Sequence, residues 1–230
     1  MRKKIKKDLE AAELTENKVL ATIVNLMEQT YIRVGNNGYE KLYGSYGLTT
    51  LKDRHVTIIK EDIQFSFRGK KGIEHSISIK NKRLARNIRQ CRDIPGKELF
   101  QYYTGDSQKR SVDSGMVNNY IKEITQAEFT AKDFRTWAGS LQALECFRSL
   151  DEPINASDIR KNIITVLDVV SNKLGNSRSI CKKYYVHPVL IQLYEENKLK
   201  KYFSASLPKR ITTGLSTEER ILMQTLKKCM

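Results

Sequence analysis

The sequence predicts a mainly α chain with one small antiparallel β meander (α+β), and three observations point to it. Apolar residues recur at helical spacing along most of the chain, from Val19 to Met27 and again beyond Leu84. The pattern drops to period two only between about residues 55 and 79. Capping residues and glycines punctuate the helical stretches. A chain of 230 residues can also bury a core without metals or cross-links.

Each element follows in order. The opening MRKKIKK is a basic run, read as a solvated or frayed end, so residues 1–15 are expected to be a leader or linker remnant and residues 16–230 the folded domain. A helix begins near Thr15 or Asn17, with Val19, Leu20, Ile23, Val24, Leu26 and Met27 as its core face. YIRVGNNGYEKLYGSYG is rich in Gly and Asn, which predicts a loop with a short helix. HVTIIK, IQFSFRG and IEHSISI then alternate as three strands, and the second connection places Lys70 and Lys71 at an exposed tip. Leu84, Ile88 and Cys91 mark a helix that ends before the Asp93–Gly96 turn, and ELFQYY is a short extended stretch. VDSGMVNNYIKEI opens on capping residues, and TAKDFRTWAG on a Thr-x-x-Asp capping box. A further helix runs from about Ala156 to Leu174 and stops at Gly175, before a loop, a short helix and a helix that starts at Pro188.

Charge narrows the partner. Lys and Arg number 41 against 26 Asp and Glu, a formal net charge of +15, so a polyanion is expected. Nucleic acid fits better than a membrane, because no apolar run approaches the roughly 20 residues of a spanning helix and no signal peptide opens the chain. Cys91, Cys146, Cys181 and Cys229 form no CxxC pair and read as reduced intracellular thiols. His55, His75 and His187 lack metal-ligand spacing, so chemistry without a metal is expected.

Four segments carry a resemblance. RVGNNGYEKLYGSYGLTTLKDRHV, FRGKKG, KDFRTWAG and CKKYYVHP are similar, in order and spacing, to the catalytic-domain motifs of type IB DNA topoisomerases, and most of all to the compact bacterial and poxvirus-like branch. The likeness runs from about Val19 to Leu193. It implies the catalytic-domain fold shared by tyrosine recombinases and these topoisomerases, with residues 16–230 as that domain and a β-rich N-terminal domain absent. It also implies site residues: Arg33 and Arg135 as the two catalytic arginines, Lys70 as the hairpin lysine, Tyr185 as the nucleophile, Asn176 where poxvirus enzymes carry a histidine, and Tyr39 and Lys132 as groups assisting at the phosphate. Choosing Lys70 over Lys71 rests on the resemblance alone.

These residue types suit the chemistry so implied. A tyrosine oxygen attacks a phosphodiester in line while negative charge gathers on two non-bridging oxygens. Planar guanidinium forks hold such oxygens with permanent charge. The leaving 5′ oxygen needs a proton, and an ammonium set among other cations gives one up more readily. The expected partner is duplex DNA, bound by a monomer without ATP, metal or other cofactor. The expected location is the cytoplasm, at the nucleoid in a bacterium.

Singly, each residue also has a structural use: Arg33 at a helix C-terminus, Arg135 as a surface charge, Asn176 as a loop residue, Tyr185 as a packed aromatic. Two other functions share part of the pattern. A tyrosine recombinase uses the same residue types but typically carries His-x-x-Arg where this chain has Lys132-Asp133-Phe134-Arg135. A non-catalytic basic DNA-binding module would keep the fold and trap no covalent adduct.

Overall fold

A computed structural model describes residues 1–203 and 214–229. It is mostly helical, with small antiparallel sheets. The chain divides into two compact units, Met1–Phe134 and Arg135–Met230. No helix among the described residues is long and apolar enough to cross a membrane.

The first unit is built around helix α2 (Glu16–Thr30), capped by the Thr15 side chain, which accepts from the Lys18 N–H at 3.3 Å. Nearly every side of α2 is buried, and it packs against α1 (Arg2–Leu9), α4 (Lys82–Arg92), α5 (Ser114–Thr125) and strands β3 (Glu74–Lys80) and β4 (Gln101–Tyr103). Cover on most of its faces explains why even Lys18 is only 1% exposed. Its ammonium donates to Gln90 Oε1 at 2.8 Å, and burial, followed by the nearby Arg86 charge, pulls its pKa down.

The basic opening is not a frayed end. Residues 2–9 form α1, which sinks Ile5 and Leu9 into the core and points its lysines outward. Asp8, on the buried side, accepts from Tyr120 Oη at 2.7 Å and from Lys4 Nζ at 2.9 Å. Burial, then the bond to Asp8, pushes the Tyr120 phenol up. The lysine run hid two apolar residues spaced i, i+4, which are enough to seat a short helix.

Strands β1 (Val56–Ile59), β2 (Asp62–Arg68) and β3 form the expected meander in the order β1-β2-β3. Ile63, Phe65 and Phe67 of β2 face the core, while Asp62, Gln64, Ser66 and Arg68 face outward. ELFQYY contributes β4, which pairs with an unforeseen strand, β5 (Lys109–Ser111).

His55, 7% exposed, lies beneath this sheet beside Tyr46, with ring centroids 4.4 Å apart. The Lys52 N–H donates to its Nδ1 at 3.1 Å, and the Arg54 guanidinium sits at its other nitrogen at 3.3 Å. Burial first, then the charges of Arg54 and Lys52 against the opposing Glu40, hold its pKa below the ordinary 6.5. Above that value the imidazole is neutral in both folded and unfolded chains, so it contributes nothing. As pH falls through about 6.5 and below, the unfolded chain takes up a proton that the fold resists, and stability drops. Melting temperature should therefore fall between about pH 7 and pH 5, and His55→Gln should flatten part of that slope. Equal slopes for the two proteins would remove His55 as the cause.

The second unit holds most of α6 (Ala131–Ser149), whose first turn belongs to the first unit, together with α7 (Ala156–Leu174), α8 (Arg178–Tyr184), α9 (Pro188–Glu195), α10 (Lys200–Phe203) and α11 (Thr217–Cys229). Asn155 caps α7 by accepting from the Ser157 and Asp158 N–H groups, and Gly175 ends it with φ 55°. Leu144, Phe147, Val166, Val170, Leu190 and Tyr194 are among its buried side chains, and the Phe147 and Tyr194 rings stack at 4.4 Å. Trp137 Nε1 donates to Glu219 of α11 at 3.3 Å.

Candidate active site

Four of the residues singled out by sequence lie in the first unit. Helix α2 closes with Tyr31 in the left-handed region (φ 56°), and the chain that follows has no helical structure, so Arg33 sits in a loop beyond the helix. That loop is pinned from below. Leu48 N–H donates to Arg33 O at 2.9 Å, Thr49 N–H donates to Val34 O at 2.7 Å, and Ile32 is buried. Gly35 and Gly47 make the approach possible: a Cβ on Gly47 would meet Gly35 N and Cα at 2.5 Å and Arg33 O at 2.6 Å. Backbone held this closely fixes where the Arg33 side chain starts.

Asn36 then caps α3 (Asn37–Tyr43), accepting from the Gly38 and Tyr39 N–H groups. No residue of α3 is buried, yet the helix is tethered through Glu40, which pairs with Lys52 at 2.8 Å, while Lys52 also reaches Glu98 at 3.1 Å. Tyr39 is half exposed, and its ring centroid lies 5.6 Å from Lys70 Nζ. Such a contact contributes about 0.5–1 kcal/mol at an exposed site. Lys70 and Lys71 are both exposed on the turn between β2 and β3. The turn is closed by Gly69 N–H on Ile73 O at 2.7 Å, and Tyr46 N–H on Arg68 O at 2.8 Å ties its base to the segment that pins Arg33. Only Lys71 of the two lysines takes a left-handed conformation (φ 63°). Lys132 is exposed in the first turn of α6.

The other three residues come together in the second unit. Arg135 is not a surface charge; it is 6% exposed. Its Nη2 donates to Leu174 O at 2.5 Å, and the guanidinium carbon lies 5.2 Å from the centroid of the Tyr185 ring. Asn176 Nδ2 reaches the same Leu174 carbonyl at 3.5 Å. One carbonyl at the end of α7 therefore orients both the arginine and the asparagine. Tyr185 itself is half-buried at the C-cap of α8, whereas Tyr184 is exposed.

Sequence reading missed the groups that hold Tyr185. Ser140 Oγ donates to Tyr185 O at 3.2 Å and accepts from the His187 N–H at 3.0 Å. Thr136 Oγ1 lies 3.4 Å from Tyr184 O. The available signal was a glycine inside a helix, which costs about 1 kcal/mol relative to alanine and so usually marks a close approach.

Among the described residues no group of three or more His, Cys, Asp or Glu is placed to hold a metal ion. The charged group beside the Tyr185 ring is instead the Arg135 guanidinium, a donor with permanent positive charge, as suits an oxyanion.

Comparison with known proteins agrees in kind. The DNA topoisomerase 1B of Acanthamoeba polyphaga mimivirus is 30% identical over 189 residues, covering 79% of this chain and 56% of the relative. The DNA topoisomerase 1B of Vaccinia virus (strain Copenhagen) is 24% identical over 194 residues, covering 84% of this chain and 59% of the relative. The chain thus spans somewhat more than half the length of these relatives. The family model described as the catalytic core of eukaryotic DNA topoisomerase I matches residues 1–210, further in both directions than the motifs alone suggested. A match over most of the chain, with the same four motifs inside it, shows that this chain belongs to the topoisomerase I catalytic-core family.

Proposed function

We propose that this chain acts on duplex DNA as a type IB topoisomerase: it cuts one strand through a 3′-phosphotyrosyl bond to Tyr185, lets the strands rotate, and rejoins them. The observation that carries the reading is the packing of the buried Arg135 guanidinium 5.2 Å from the Tyr185 ring. A buried permanent cation beside a tyrosine suits a reaction whose attacking group and developing charge are both anionic.

Tyr185 Oη loses its proton to solvent and attacks phosphorus, and the bond from phosphorus to the 5′ oxygen breaks as the new one forms. Arg33, Arg135 and Asn176 donate to the non-bridging oxygens, each such donor being worth on the order of a hundredfold or more in rate. Lys70 protonates the 5′ oxygen as it leaves, with Tyr39 and Lys132 assisting at the phosphate. Guanidinium and ammonium groups neutralise the charge that a metal would otherwise meet, and the phosphotyrosyl bond conserves the energy for religation, so neither metal nor ATP is needed.

The test is direct. A suicide duplex labelled on the 3′-phosphate side should yield a denaturation-resistant adduct in EDTA and without nucleotide. Relaxation of a supercoiled plasmid lacking any recombination site should accompany it. An adduct that requires magnesium would remove the metal-free chemistry; DNA binding with no adduct at all would leave only a basic DNA-binding module.

A further inference from the structure

Tyr185 lies where α8 ends and before α9 begins, so its N–H closes the last turn of α8 while its carbonyl and the His187 N–H fall outside any helix ladder. Buried groups in that position need partners from elsewhere. The Tyr185 and Val186 N–H groups turn back to Cys181 O at 3.0 and 2.9 Å. The Tyr185 carbonyl and the His187 N–H instead meet one side chain, the Ser140 hydroxyl, which accepts from His187 and donates to Tyr185. Ser140 is 3% exposed, so little water competes for either bond.

One turn geometry makes this contact possible. Arg135, Thr136, Gly139 and Ser140 share a face of α6, being spaced i, i+1, i+4 and i+5. On that face the missing side chain matters as much as those present. A Cβ on Gly139 would meet Tyr185 O at 2.8 Å, Tyr185 Cβ at 3.0 Å and Tyr185 C at 3.1 Å, so the tyrosine backbone rests directly on the helix. Arg135, four residues before Gly139, reaches the tyrosine ring from the same helix.

We propose that Ser140 and Gly139 are positioning residues for the nucleophile: Gly139 sets how closely Tyr185 lies on α6, and the Ser140 hydroxyl fixes the direction of its backbone, so that α6 carries the tyrosine and the arginine beside it in one register. The proposal rests on Tyr185 being the nucleophile. Ser140 touches no reacting atom and acts only through Tyr185. In-line attack tolerates little displacement, because an error near 1 Å in a reacting group costs on the order of a hundredfold.

The test uses a matched pair. Thr and Val have the same shape and differ only in the hydroxyl, so Ser140→Thr and Ser140→Val crowd the site equally. With the full chain, single-turnover cleavage of a suicide duplex at saturating concentration should fall roughly ten- to a hundredfold in Ser140→Val, and Ser140→Thr should restore most of that loss. Duplex affinity, measured separately on uncleaved DNA, should be the same for both, which places the loss in the chemical step. Gly139→Ala should slow cleavage by a similar factor with affinity unchanged, and it serves as the independent variant if Ser140→Val fails to fold. Equal cleavage rates for the Thr and Val variants, or a Gly139→Ala protein as fast as the parent, would overturn the proposal. A parent protein that forms no adduct on Tyr185 would instead overturn the underlying assignment, and the two failures are distinct.

Discussion

Tyr185→Phe removes one oxygen from a half-buried ring and is expected to abolish the covalent adduct while leaving duplex affinity nearly unchanged. The ring remains to pack beside the Arg135 guanidinium, and the bonds from Ser140 go to backbone, so the substitution leaves the local structure in place. Tyr184→Phe should keep the adduct. Its ring is 44% exposed and lies near Lys183 Nζ, at 5.2 Å, rather than near the buried arginine. Mass spectrometry of the trapped peptide decides between adjacent tyrosines that kinetics on one variant could confuse. Phosphate recovered on Tyr184, or an undiminished adduct in Tyr185→Phe, would refute the assignment.

Much of the fold was legible because its signals are local. The α2 core face, the meander and the Ala156-to-Leu174 span of α7 with its stop at Gly175 each follow from periodicity or a cap within a few residues. What escaped depends on partners distant in sequence. Helix α1 is stabilised by packing on α2 and by the Tyr120 hydroxyl, more than a hundred residues beyond Asp8, which no run of lysines announces. Strand β5 has no buried residue of its own and exists through its pairing with β4. In the site, residue types could be matched by motif, but the burial of Arg135 could not. It depends on the end of α7 presenting the Leu174 carbonyl. Ser140 escaped for a related reason: a serine in mid-helix reads as neutral until the chain near residue 185 is laid against it.

Changing the leaving group should separate Lys70 from Arg135. On an ordinary phosphodiester, Lys70→Ala and Arg135→Ala should each lose on the order of a hundredfold or more in cleavage rate, the first by withholding a proton and the second by leaving charge on a non-bridging oxygen unmet. A 5′-bridging phosphorothiolate expels a thiolate, a far better leaving group that needs no proton. Lys70→Ala should therefore regain most of its lost rate on that substrate. Arg135→Ala should stay slow, since non-bridging charge develops whichever atom leaves. Arg135→Lys should also stay slow, because one ammonium cannot hold the Leu174 carbonyl and face the phosphate as the planar guanidinium fork can. Lys71, on the same exposed turn but with a left-handed backbone, is the internal control. Lys71→Ala should cleave both substrates at near-parental rates. If Lys70→Ala is as slow with sulfur as with oxygen while Lys71→Ala or Lys132→Ala recovers, the proton comes from that lysine, and the hairpin turn has been read one residue, or one helix, away from its acid.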